Sequence, residues 1–297
     1  RDVYVERRSP RKGEVFHPCS QSDIPHSNAE ERLWDTLEGA RLVPHESRTM
    51  NAVPANSPIA DGKTVVWTAD SRRTVTPLTF PGKSDGATAA IELAGRERES
   101  FQICISTAAD VEWKDGSLVV PELKTKDGRR LKGRVEWQRI GYIPRRPGYF
   151  NHWSPHAPPS REKWIPDPLL PAAPYRVRPA STQGLWVTVT ADPDAEPGEY
   201  SGELAVTEGG AVRGTVKLTA RVRGFALPKT FGLRTAFALM DGVLRRQYGA
   251  DRLRKMKTEA IDILLDHRLN PDDISRTTPP DIDDLLHARE RGMNRFN

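Results

Sequence analysis

The sequence predicts a mainly β protein, an antiparallel β-sandwich followed by the start of an α/β domain. Three observations point there. Short alternating segments crowd residues 62–228, Gly, Pro and Asp punctuate them, and past Pro228 the pattern turns from period two to helical spacing.

The clearest alternation runs from Tyr200. Tyr200, Gly202, Leu204 and Val206 fall on one side of an extended chain, and Glu199, Ser201, Glu203 and Thr207 on the other. Gly209-Gly210 supplies the positive φ of a tight turn. Alternation then resumes, with Val212, Val216, Leu218, Ala220 and Val222 opposite Arg213, Thr215, Lys217, Thr219 and Arg221. Upstream, Leu185, Val187 and Val189 follow the same rhythm. Three consecutive antiparallel strands are expected, with a second layer over their apolar face. The other strands fall at Thr64–Thr68, Ala89–Leu93, Ser100–Ser106, Ser117–Val120 and Arg134–Ile143.

Residues 144–183 break the series. Ten prolines in this stretch forbid a central strand or a helix and predict a long structureless loop. Residues 1–61 form an N-terminal segment of uncertain structure. Within it, Ala29–Leu42 has helical spacing at Leu33, Leu37 and Ala40, with Ser27-Asn28 placed to cap.

Residues 229–297 read as strand, helix, helix, strand. An apolar run covers Leu233–Met240. A helix from about Arg252 to His267 aligns Leu253, Met256, Ala260, Ile263 and Leu264. A second, Asp281–Arg291, follows Pro279-Pro280 and stops at Gly292; Met293–Asn297 is extended. The 67 residues from Phe231 to Asn297 fall far short of the roughly 250 of a complete (β/α)8 barrel, so a fragment, incomplete at both ends, is expected.

The 297 residues, 37% hydrophobic and 29% charged, suit a folded, water-exposed chain, and no apolar run is long enough to span a bilayer. The net charge of +5 is spread along the chain; clusters such as Arg129-Arg130-Lys132-Arg134 read as solvated surface, so no nucleic acid is expected. Cys104 alternates within its strand and reads as packed; Cys19 lies in a polar loop. No phosphate loop, dinucleotide fingerprint or nucleophile elbow occurs, and no cofactor is expected. His17, Cys19, His26 and His45 match no zinc spacing, and no metal is expected.

The proline-rich stretch holds Tyr149, His152, Trp153, His156, Trp164 and Asp167. Aromatic faces stack on sugar rings and polar tips bond hydroxyls. The alternative is that these residues pin the stretch to its neighbours. Asp241 follows the apolar run, where barrels carry catalytic groups; a turn or cap is the alternative.

The ordered set "GRERESFQICIS", "WIPDPLLP", "TQGLWVTVTADPDAEPGEYSGELAVT", "FALPKTFGLRTAFAL" and "LLDHRLNPDDI" resembles glycoside hydrolase family 123-like proteins over about residues 62–297. The resemblance implies a β-sandwich at 62–228 and the incomplete opening of a (β/α)8 barrel at 229–297, joined by an intramolecular interface. It implies a β-N-acetylhexosaminidase-type activity, N-acetylgalactosaminidase-like, on a glycan with N-acetylhexosamine. It also implies substrate assistance, in which the sugar's own acetamido oxygen attacks, one carboxylate orients it and a neighbouring acid protonates the leaving oxygen. A secreted or periplasmic location goes with it. The family's adjacent Asp-Glu pair is absent from this chain. Of the acid pairs present, Asp272-Asp273 and Asp283-Asp284 sit at or near expected helix starts, where capping is the better reading, and Glu30-Glu31 lies in the uncertain segment. No catalytic residue is therefore assigned. The first reading is an accessory scaffold, inactive alone, whose candidate substrate contacts, read from residue chemistry and position, are Tyr149, His152, Trp153, Trp164, Asp167 and Asp241. The alternative is a non-catalytic carbohydrate-binding or interaction module, which requires an aromatic platform on the sandwich.

Overall fold

A computed structural model describes residues 57–83, 85–144, 164–273, 276 and 279–296. Ten strands carry the mainly β architecture: β1 (Val65–Asp70), β2 (Thr88–Gly95), β3 (Arg98–Ser106), β4 (Trp113–Val119), β5 (Gly133–Pro144), β6 (Trp164–Leu170), β7 (Tyr175–Val177), β8 (Thr182–Ala191), β9 (Gly198–Glu208) and β10 (Ala211–Ala226). They form two five-stranded sheets, ordered β1-β3-β8-β5-β6 and β2-β10-β9-β4-β7. Neighbours are antiparallel except β2 and β10, which run parallel.

Both sheets contribute to one core. Ile103 and Ile105 of β3 and Leu185, Val187 and Val189 of β8 meet Leu204 and Val206 of β9 and Val216, Leu218 and Ala220 of β10. Each such side chain is essentially fully buried, which contributes about 1.5–3 kcal/mol apiece before entropy is set against it. Tyr200, Leu204 and Val206 of β9 are buried as their period predicts, while Thr207, expected on the other side, is buried too; Gly209 and Gly210 take φ of 57° and 78° at the turn into β10.

Sheet edges expose unpaired backbone groups, and here they are blunted. β6 is an edge strand with prolines at 166 and 168, β7 has three residues, and Thr68 on β1 donates from its N–H to Gly86 O at 2.9 Å, tying β1 to the chain entering β2.

Three expectations are corrected here and one holds. β8 does not join β9 and β10; it pairs with β3 and β5 in the other sheet, because alternation sets a face but not a partner. The proline-rich stretch is not structureless throughout: β6 and β7 fall within it, as edge strands, where a missing N–H costs least. Val212 is 60% exposed, because a bulge between Val212 and Gly214 flips the side chains that precede it. Cys104, as expected, is buried and free, on the sheet's second face with Trp67, Ala69 and Val75.

The chain divides into two compact units between Leu227 and Pro228. The described part of the second holds β11 (Phe237–Ala238), α1 (Asp241–Tyr248), α2 (Leu253–Asp266), β12 (Pro271–Asp272) and α3 (Ile282–Glu290). β11 and β12 pair in parallel, with Phe237 opposite Pro271. Phe231, Ile261, Leu265, Ala288 and Met293 make a small core. The second strand thus lies between α2 and α3, not at Met293–Asn297, and α1 is an element the spacing did not predict. The buried stripe of α2 runs through Ile261 and Leu265; Ile263, expected inside, is 61% exposed. Gly292 ends α3 as predicted, with φ 108° and Lys229 O only 2.3 Å from where a Cβ would sit. Asn270, fully buried, bonds Thr235 O and Asn294 Oδ1 at 3.2 and 2.9 Å, stitching β12 to both flanks of the unit.

Candidate functional site

In the second unit a cavity of about 450 Å³ opens at the C-terminal ends of the two parallel strands. Leu239, Ile261, Leu285 and Met293 supply its apolar lining, and Asp241, Lys257, Asp272 and Asp284 are among its polar groups. The size suits a small ligand, and the C-terminal edge of parallel strands is where such sites form.

Each polar group is placed by local structure. The N–H groups of Phe237 and Leu239 donate to Asn270 O and Asp272 O at 2.9 and 2.6 Å. This register puts Asp241, in the first turn of α1, and Asp272, the last residue of β12, at the same end of the pair. Lys257 follows Leu253 and precedes Ile261 by one α2 turn each, so it lies on the buried stripe and is 18% exposed. Its ammonium bridges Asp241 and Asp284, each at 2.8 Å. Burial alone would lower its pKa; the hydrogen bonds to Asp241 and Asp284 outweigh that and raise it. Arg276 holds Asp272, which is 2% exposed at its side chain, at 3.1 Å.

Asp281 caps α3, accepting from the N–H groups of Asp283 and Asp284 at 2.9 and 3.2 Å. Those bonds hold its carboxyl below the usual range, aided by Arg254. The capping expected of Asp283-Asp284 thus belongs to Asp281, and Asp272-Asp273 begins no helix, since Asp272 closes a strand. Among the described residues the carboxyl pushed upward is Glu99 on β3, by burial first and then by the nearby negative charge of Glu97. It lies in the sheet unit, not in the cavity.

Of the predicted site residues, Tyr149, His152 and Trp153, with His156, lie outside the described residues, as do Ala29–Leu42, Glu30-Glu31 and the His17, Cys19, His26 and His45 group. Trp164 begins β6 and is buried, and Asp167 is exposed on the same strand. Asp241 is exposed at its side chain and salt-bridged to Lys257. Sequence reasoning missed Lys257, Arg276, Asp272 and Asp284. A lysine on the apolar stripe of a helix is the signal that could have found Lys257. His267 bonds Ile263 O at 2.8 Å at the end of α2, and Arg268 donates to Pro228 O at 3.0 Å and lies over the Phe231 ring. No group of metal-ligating side chains occurs among the described residues, and none of their helices is long and apolar enough to cross a membrane.

The class these features define is a mainly β protein with antiparallel sheets, followed by a unit that opens with parallel strands and crossover helices. No family model and no curated protein matches the chain. Its fold is similar to a family 123 glycoside hydrolase from Clostridium perfringens that acts in glycolipid glycan hydrolysis, with a TM-score of 0.55 at 12% identity. That likeness covers 68% of this chain and 36% of the enzyme, so the chain spans little more than a third of its length. The N-terminal domain of PorA (TM-score 0.25, 10% identity, 55% of this chain and 100% of that one) and the GspB Siglec domain (0.20, 13%, 62% and 76%) are more distant.

Proposed function

We propose that the chain is the accessory β-sandwich and (β/α)8 barrel opening of a glycoside hydrolase-like protein of β-N-acetylhexosaminidase type, supplying scaffold without the catalytic acids. The observation that carries this reading is the fold likeness to the family 123 enzyme over 68% of the chain. The parallel pairing of β11 and β12, with α1 and α2 between them, supports a barrel opening. So does Phe237, 43% exposed on a strand of a kind that is ordinarily covered on both faces.

Substrate-assisted hydrolysis needs one carboxylate to orient the acetamido group and an acid to protonate the leaving oxygen. In the cavity Asp241 and Asp284 are engaged by Lys257, Asp272 by Arg276, and Asp281 by its own helix. These acids work as structural anions, which supports a scaffold role. Asp241, at the rim, is the group of this unit that a bound sugar would reach. The substrate in this reading is a glycan with N-acetylhexosamine, and the protein is secreted or periplasmic.

The test compares the 297-residue chain with the longest reading frame that contains it, on an aryl β-N-acetylgalactosaminide. Release of the aryl alcohol by the long product alone is expected. Cleavage by the 297-residue chain, or by neither protein, overturns the proposal.

A further inference from the structure

The face of the first sheet that points away from the main core carries two cross-strand rows over β3, β8 and β5. One is Ser100–Thr188–Glu136 and the other Gln102–Trp186–Gln138. Directly opposed residues of antiparallel neighbours share a face. The intervening residues Phe101, Ile103, Leu185 and Val187 fill the main core, so both rows look the other way.

Trp186 and Gln138 are half-buried and Glu136 is exposed. The next row on this face, Cys104–Gly184, is buried with the sheet's second cluster, so Trp186 stands where that cluster gives way to the polar rows. Its surroundings are set in place. Ser100 and Thr188 hydroxyls bond at 3.0 Å, and Gln102 donates to the carbonyls of Asp70 and Arg73 at 2.8 and 2.7 Å, anchoring the loop after β1 beside the row. Arg134 donates to Glu136 at 2.7 Å, so these two charges cancel, and Arg98, further along the face, has an interaction of its own.

We propose that this face is a platform for a neutral glycan. The apolar C–H face of a pyranose stacks on Trp186, and Gln138, Thr188 and Glu136 bond its hydroxyls. A flat indole flanked by amide and hydroxyl groups matches a ring with one apolar face and a polar rim. The Arg134–Glu136 pair argues against an anionic polymer, whose phosphates would have to displace Glu136 from Arg134. The platform lies wholly within residues 57–227 and requires no catalytic acid, so it stands or falls separately from the hydrolase reading.

The intact 297-residue chain is tested on a printed panel of neutral oligosaccharides, with sialylated ones as the charged control, and the binders are titrated in solution by tryptophan fluorescence. Saturable binding to neutral glycans is expected. Trp186→Ala should weaken it about tenfold, the order of one lost aromatic contact. Trp186→Phe should stay within about threefold, and Gln138→Ala should weaken it about threefold. Melting temperatures are measured alongside. If Trp186→Ala fails to fold, the phenylalanine and Gln138 variants decide the matter. No saturable binding to any neutral glycan, affinity unchanged in all three variants, or preference for the sialylated glycans overturns the proposal.

Discussion

The two units bury their apolar residues very differently. Residues 57–227 gather twenty-one buried side chains into one cluster drawn from both sheets, whereas the described part of the second unit gathers five. Yet of the fourteen large apolar side chains left exposed among the described residues, eight lie in the second unit: Leu233, Phe237, Met240, Val243, Ile263, Ile282, Leu286 and Phe296. α1 buries no residue at all. The sheets draw stability from area removed from water; the second unit relies more on directed polar contacts, such as Lys257 with its two aspartates, Asn270 with its neighbours and the Asp281 cap. Hydrogen exchange should therefore be slowest in β3, β8, β9 and β10 and faster across α1.

Substitutions can break or sharpen that contrast. The largest effect is expected for Leu204→Ala, which empties a fully buried site between the sheets and should cost about 3 kcal/mol. Denaturant unfolding followed by exchange within 57–227 checks it; a loss under 1 kcal/mol would mean the sheets share less core than their burial implies.

Lys257→Met comes next. It leaves Asp284, 12% exposed, without its ammonium and should cost about 2 kcal/mol. The pH dependence carries a sign. The lysine pKa is raised above 10.5 in the folded chain, so its contribution is complete below that value and is lost as pH rises through the folded one. The variant should lose that alkaline decline, and an unchanged alkaline profile would remove the ion pairs from the account of the second unit.

Asp281→Ala removes the cap of α3 and should cost about 1 kcal/mol. Because the Asp281 pKa is lowered, its stabilisation is present above the ordinary carboxylate value and disappears as pH falls through the folded one. Acid unfolding of the variant should accordingly begin from a lower plateau with a shallower slope. The smallest effect is expected at Val212. Val212→Thr should stay within about 0.5 kcal/mol while Val216→Thr, four residues on and fully buried, costs clearly more. Equal losses would contradict the bulge.

Legibility in the sequence followed the reach of each signal. The β9–β10 hairpin was readable because alternation and a Gly-Gly turn are local. The same alternation turns Trp186 away from Leu185 and Val187, but nothing local specifies that Gln102 and Gln138 flank it. β6 was hidden by Pro166 and Pro168, residues that exclude a central strand but suit the edge it occupies. β12 was hidden by its length of two residues, which carries no periodicity. Asp241 could be placed after a strand, while its partners Lys257 and Asp284 come from helices whose packing no local pattern specifies.

By itself, then, the sequence determined which residues of β8 and which of Tyr200, Leu204 and Val206 turn inward, where the hairpin bends and where α3 stops, since each depends on neighbours a few positions away. The tertiary structure alone decided which strands pair and which charges meet. Those choices join residues as distant as Ser100 and Thr188, 88 positions apart, and closing such separations is favoured only when the whole buried face forms at once.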